Sequence, residues 1–208
     1  MPGKLTLYTN PMSRGRIARW MLEEIGEPYD TVVLAYGDDG MKSPAYLAIN
    51  PMGKVPALTH GSRTVTEGAA ICAYLADAFP QAGLAPALPE RADYYRWLFF
   101  TAGPLEAAVT NHAVGWDPDT ERSRMFGYGS YDAAVGALDA LLTAQAYVTG
   151  ETFTAADVYV GAAVSWGLGF GTLPKRPAFE AYAARVTSRP AYLRATALDD
   201  ALMPKAEA

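Results

Sequence analysis

The sequence holds one cysteine, Cys72, and two histidines in 208 residues. A single thiol excludes an internal disulfide, and without a Cys/His cluster no spacing suggests a metal site. Basic runs are also missing. Lys and Arg total 17 against 22 Asp and Glu, a formal net charge of -5. A mildly acidic chain is a poor partner for nucleic acid, whose binding rests on neutralising phosphates. Long apolar runs are absent too. The most apolar uncharged stretch, Val158 to Thr172, is shorter than the roughly 20 residues of a bilayer span, and Gly161, Gly167, Gly169 and Gly171 loosen it. It reads as a buried core helix. Met1-Pro2-Gly3-Lys4 runs straight into a strand pattern, with no apolar h-region of a secretory signal. These absences lead us to expect a cytoplasmic protein with no nucleic-acid or membrane partner. No internal repeat or low-complexity tract is found.

Half of the residues are hydrophobic, enough for the core of one large domain or two small ones. Lys4 to Thr9 alternates and ends in β-formers, so it reads as a strand. Asn10-Pro11 predicts a helix start, with Asn10 as N-cap and Pro11 in the first helical position. Ile17, Met21 and Ile25 then share one face, with Ala18 and Leu22 beside them. Tyr29 to Leu34 predicts a second strand, parallel to the first. A short helical turn at Pro44 to Ala48, two hairpin strands and a helix from about Glu67 to Ala78 follow. The sum, β-α-β-α-β-β-α, is a thioredoxin-like domain over 1–79. Residues 80–89, rich in proline, read as a linker. From Glu90 strand signals vanish. Helices are predicted over Arg91–Phe100, Tyr131–Ala146, Ala155–Leu168 and Pro177–Ser188, so 90–208 is expected to be an all-α domain.

One phrase inside the first domain stands out: Asn50-Pro51-Met52-Gly53-Lys54-Val55-Pro56-Ala57-Leu58. A turn leads into a strand that is broken at once by Pro56. Proline cannot donate to a sheet ladder, so either the strand lies at an edge or the backbone bends there. A hairpin follows, and then Thr66-Glu67-Gly68 opens an apolar helix.

This order resembles the glutathione-binding half of the cytosolic glutathione transferases. The start, Leu5-Thr6-Leu7-Tyr8-Thr9-Asn10-Pro11-Met12-Ser13-Arg14-Gly15-Arg16, is similar to the family's first strand and catalytic loop. Thr154-Ala155-Ala156-Asp157 is similar to the capping box of its helical domain. The three motifs occur in family order, and the resemblance covers the whole chain and points to a bacterial, serine-type member. It implies a cis Val55-Pro56 bond, with the Val55 main chain presented to the cysteinyl part of glutathione.

The resemblance also assigns candidate roles. Asn10 and Ser13 stand where a thioredoxin fold would carry a dithiol pair, so dithiol chemistry is excluded at this loop. Ser13 looks like the serine of the serine-type enzymes. A free thiol has a pKa of roughly 8.5, and a hydroxyl donating to sulfur favours the reactive thiolate, as does a helix N-terminus at the loop. The bland alternative is that Ser13 only satisfies backbone donors in the first helical turn; Asn10 is the other candidate donor. Tyr8 sits in the strand and reads as core. Arg14 and Arg16 suit either the steering of an anionic tripeptide or a solvated helix face. Lys42 and Lys54 are candidates for the glycyl carboxylate. Glu67 suits the γ-glutamyl ammonium, and the Gly68 N–H suits its carboxylate. The family's usual serine after the acidic residue is missing: Gly68 keeps the N–H and loses a hydroxyl, so weaker binding is expected. Cys72 reads as a small apolar filler.

From the second domain, Phe100 and Trp116 are the main candidates for an apolar wall, beside Phe99, Pro104, Asn111 and His112. The implied function is a homodimeric glutathione transferase that uses glutathione as co-substrate and conjugates it to a hydrophobic electrophile. The alternatives are a non-catalytic relative that binds ligands or proteins, and a glutathione-dependent isomerase, dehalogenase or peroxidase.

Overall fold

A computed structural model describes residues 3–203. Met1 and Pro2, part of the N-terminal reading above, and residues 204–208 of the expected second domain lie outside the described residues. The chain forms two compact units. The first runs to Ala82 and resumes at Arg189; the second is Gly83–Ser188.

In the first unit, β1 (Leu5–Thr9) buries Leu5, Leu7 and Thr9 and turns Thr6 and Tyr8 the other way, the two-residue period of a strand. The helix α1 (Gly15–Ile25) buries the expected stripe of Ile17, Ala18, Met21, Leu22 and Ile25. β2 (Tyr29–Val33), α2 (Pro44–Leu47), β3 (Ala57–His60), β4 (Arg63–Thr66) and α3 (Gly68–Ala78) follow. The sheet order is β2-β1-β3-β4, with β1 and β2 parallel and the other pairs antiparallel. This is the thioredoxin-like arrangement read from the sequence. Pro56 resolves its own difficulty. Central strand β3 begins one residue after it, so proline is never asked to donate to the ladder.

The start of α1 corrects the expectation. Asn10 is not its N-cap. The Asn10 side chain accepts the Met12 N–H at 2.9 Å and closes a local turn, so the helix begins only at Gly15.

A helix not foreseen, α9 (Pro190–Asp200), belongs to this first unit. Its side chains meet those of α1 repeatedly. Arg189 forms a two-pronged pair with Glu24 at 2.7 Å and 2.7 Å, Arg194 pairs with Glu23, and Tyr192 packs edge-on against Trp20. Arg19 and Asp199 form a pair at 2.8 Å that is 3% and 0% exposed. Removing one partner of such a buried pair costs about 3–5 kcal/mol, because a charge is left uncompensated. The second domain was expected to run on to 208; the described residues from Arg189 group instead with the first unit.

The second unit is helical among its described elements. After α4 (Ala92–Phe100) the backbone makes one wide turn over Thr101–Leu105 and continues as α5 (Glu106–Ala113). Pro104 lies inside this turn, and a proline ordinarily breaks a helix. The wide turn absorbs the proline's missing N–H, so the helix resumes. α6 (Tyr131–Ala144), α7 (Ala155–Phe170) and α8 (Pro177–Thr187) complete the unit. α7 buries Val158, Val160 and Val164 completely. Its first turn is closed by Asp157, whose carboxylate accepts from the Val148 N–H, the Thr154 N–H and hydroxyl, and the Tyr182 hydroxyl at 2.8–3.0 Å. Burial pushes this carboxyl up and the four donors pull against that. No described helix is long and apolar enough to cross a membrane.

Candidate functional site

The first unit gathers three segments that the sequence singled out. The first is the loop between β1 and α1. There the Ser13 hydroxyl donates to the Asn10 carbonyl at 2.7 Å and accepts from the Gly15 N–H at 2.9 Å. Ser13 is half-buried just before α1, and the first N–H groups of that helix, on Gly15, Arg16 and Ile17, are taken by the Ser13 hydroxyl, the Ser13 carbonyl and the Arg14 carbonyl. Gly15 makes this close approach possible: a Cβ there would collide with Thr9 Oγ1 and stand 3.0 Å from Ser13 Oγ. Asn10 is committed to holding the loop. Its amide donates to the Leu34 carbonyl at 2.8 Å while its oxygen takes the Met12 N–H. Arg16 is also drawn in, donating to the Pro11 carbonyl at 2.6 Å and to Asp200 at 2.7 Å, so neither sequence reading of this residue describes it.

The second segment is the turn before β3. The Val55-Pro56 bond is cis, as the resemblance implies. Val55 stands outside the sheet register, which begins at Ala57. The turn is braced from below. The Lys54 carbonyl accepts from both the Tyr46 hydroxyl at 2.6 Å and the Asn50 amide at 2.8 Å. Asn50 also takes the Met52 N–H, and its carbonyl takes the Gly53 N–H. Gly53 has φ +57, a left-handed backbone that suits glycine, and the Lys42 side chain passes directly over its missing Cβ. Lys42 donates to the Met52 carbonyl at 2.8 Å. An ammonium has three donors, so two remain. The Lys54 side chain is exposed.

The roles of Tyr46 and Asn50 were not foreseen. Asn50 carried a signal, since Asn opening an Asn-Pro-Met-Gly turn bonds its own backbone two residues on. Tyr46 carried none. It packs in a cluster with Met41 and Ala57, its ring 5.7 Å from that of Tyr8, and burial pushes its phenol up to about 12. Tyr8 is thus packed beside the turn, in keeping with the core reading.

The third segment is the start of α3. Glu67 has φ +66, the only non-glycine residue at positive φ among those described. Such a conformation costs on the order of 1–3 kcal/mol and persists only where the surroundings impose it. No side chain caps this helix. The N–H groups of Gly68, Ala69 and Ala70 therefore have no partner from the helix itself, and the Glu67 side chain is exposed beside them. Backbone donors next to an exposed carboxylate suit a zwitterionic group that carries both signs. Cys72, one turn on, is fully buried; burial pushes its thiol up and keeps it inert, as the filler reading expects.

In the second unit, Phe100 is half-buried at the end of α4, its ring edge-on to Trp97 at 5.2 Å. Trp116, beyond α5, is 73% exposed. His112 has a partner that sequence spacing did not suggest, Asp117 at 2.7 Å, and its ring stacks on Tyr131.

Comparison with known proteins agrees with this geometry. Residues 12–78 match the family described as "Glutathione S-transferase, N-terminal domain". A maleylacetoacetate isomerase from Pseudomonas aeruginosa is 31% identical over 165 residues, covering 76% of this chain and 77% of that protein. Glutathione S-transferase GST-4.5 from Xanthomonas campestris is 28% identical over 169 residues, covering 78% and 82%. Among solved structures, a sphingomonad glutathione S-transferase complexed with glutathione superposes with a TM-score of 0.74 at 29% identity, covering 94% of this chain and 98% of that one. The chain belongs to the glutathione S-transferase family.

Proposed function

We propose that the protein is a glutathione transferase, which ionises the glutathione thiol in its first unit and joins the sulfur to an apolar electrophile. The main chain at Val55 carries this reading. It stands outside the ladder, next to a cis bond, with the preceding carbonyl tied down by Tyr46 and Asn50. A fixed main chain that no strand pairs with can recognise a peptide by exchanging N–H and C=O bonds with it. Lys54 and Lys42 receive the glycyl carboxylate of that peptide. The open N–H groups after Glu67 receive the γ-glutamyl carboxylate, and the Glu67 side chain receives its ammonium.

This placement brings the thiol to the Ser13 loop. The Ser13 hydroxyl has one proton, given in the free protein to the Asn10 carbonyl. A thiolate is the stronger, charged acceptor, so the hydroxyl turns to it, while the Asn10 carbonyl keeps the Ser13 N–H at 3.1 Å. The thiol proton passes to solvent. The sulfur electron pair forms the S–C bond, and the leaving group departs with its own pair. Phe100 and Trp116 supply apolar surface for the electrophile. The protein works in the cytoplasm, as a homodimer, in the removal of reactive compounds.

One observation favours a second reading, glutathione-dependent isomerisation: the 31% identity to an isomerase. There the thiolate adds to a double bond and leaves again, so the same thiolate-forming residues are needed. Retention on immobilised glutathione, followed by turnover of a chlorodinitrobenzene and of a cis-enone, tests both. Conjugation is expected, with Ser13→Ala reducing kcat/KM about tenfold, the equivalent of one pH unit in thiol pKa. Absence of binding at millimolar glutathione overturns the reading. Isomerisation without conjugation moves it to the isomerases.

A further inference from the structure

We infer that Arg16 and Asp200 are positioning residues for the thiolate-stabilising loop, so that the last residue of α9 helps to set how well the loop ionises glutathione. The inference rests on the Ser13 reading and deepens it.

The loop Asn10–Ser13 is short and its internal bonds are few. Arg16 reaches back from the first turn of α1, and its Nε donates to the Pro11 carbonyl at 2.6 Å. This fixes the Pro11–Met12 peptide, one residue before Ser13. The other end of the guanidinium is held as well, with Nη2 donating to Asp200 Oδ1 at 2.7 Å. Arg16 has a planar fork, so fixing Nη2 fixes the direction of Nε. Asp200 in turn is fixed because α9 is held on α1 by Arg19–Asp199 and by Arg189–Glu24. The sequence Asp200, Arg16, Pro11 carbonyl, Ser13 is a continuous mechanical link from the C-terminal helix to the hydroxyl.

Arg16 also carries charge, so a purely electrostatic role is the rival explanation. The two make opposite predictions at Asp200. The charged groups that face one another here are Arg16, Arg19, Asp199 and Asp200. Asp200→Asn removes a negative charge near the loop. If only charge matters, the bound thiolate is stabilised and its pKa falls. If Asp200 aims Arg16, the brace loosens and the pKa rises.

The test is the pH titration of the thiolate absorbance of bound glutathione, together with kcat/KM for the chlorodinitrobenzene below the thiol pKa. Asp200→Asn and Arg16→Lys should each raise the thiol pKa by about half a pH unit and lower kcat/KM about threefold. Arg16→Lys keeps the charge and loses the fork. Arg194→Gln breaks another contact of α9 with α1, away from the loop, and serves as the stability control. It should leave the thiol pKa unchanged while moving the thermal midpoint as much as Asp200→Asn does, since both pairs are exposed and exposed pairs stabilise little. A fall in pKa for Asp200→Asn, or no change in both Asp200→Asn and Arg16→Lys while Ser13→Ala raises it, overturns the inference alone. No change in Ser13→Ala overturns the Ser13 reading and the inference with it.

Discussion

The molecule begins two of its helices in opposite ways. At α7 the N-terminus is closed: the Ala155 N–H donates to the Leu84 carbonyl, the Asp157 N–H to the Thr154 carbonyl, and the fully buried Asp157 carboxylate takes the Thr154 N–H and three further donors. At α3 the N-terminus is left open. Glu67 is exposed and bent to φ +66, and no side chain caps the donors that follow. Each start presents the same unpaired N–H groups. Spent inside the protein, they anchor a core helix. Left unspent, at a cost in backbone strain, they remain available to a ligand. The contrast separates a closed start that serves stability from an open one with identical backbone chemistry.

Removing the closed start should have the largest effect. Asp157→Ala leaves buried donors unpaired and should lower the stability of the protein by about 3 kcal/mol, read by denaturant unfolding. The thiol pKa of glutathione bound to the remaining folded protein should stay the same; a shift would mean that this start also serves binding. At the open start the two quantities should move in opposite directions. Glu67→Gly removes the strain and should raise stability by about 1 kcal/mol, while the lost carboxylate weakens glutathione about tenfold by calorimetry. A variant that loses both stability and affinity would show that Glu67 is a structural cap after all. The smallest effect is a gain. Gly68→Ser restores a hydroxyl beside the open donors and should tighten glutathione about threefold, the worth of one neutral hydrogen bond. No tightening would mean that glutathione does not reach the start of α3.

The two starts were unequally legible in the sequence. Thr154-x-x-Asp157 is local, and its three-residue spacing already implies the bond that forms. The phrase around Pro56 was legible for a similar reason, since a proline in a β pattern has few places to go. The backbone of Glu67 was not legible, because nothing in a glutamate announces positive φ. Asn10-Pro11 misled, since the side-chain oxygen that makes a good N-cap also makes a good turn, and the turn won. Gly103-Pro104 hid α5 because a widened turn can carry a proline through a helix. Least legible was α9. What holds it, Arg19 with Asp199 and Arg189 with Glu24, joins residues 180 and 165 positions apart, and no local pattern encodes a partner at that distance.

That same distance has a consequence for how the chain is made. Arg19 leaves the ribosome 180 residues before Asp199. The second unit is one unbroken segment, whereas the first is written in two pieces around it. During synthesis the glutathione-binding unit therefore waits, its buried arginine without a counter-charge, until the last helix emerges. A copy cut short after the second unit would carry Ser13, Val55 and Glu67 and still lack the carboxylate that neutralises the buried arginine of the first unit.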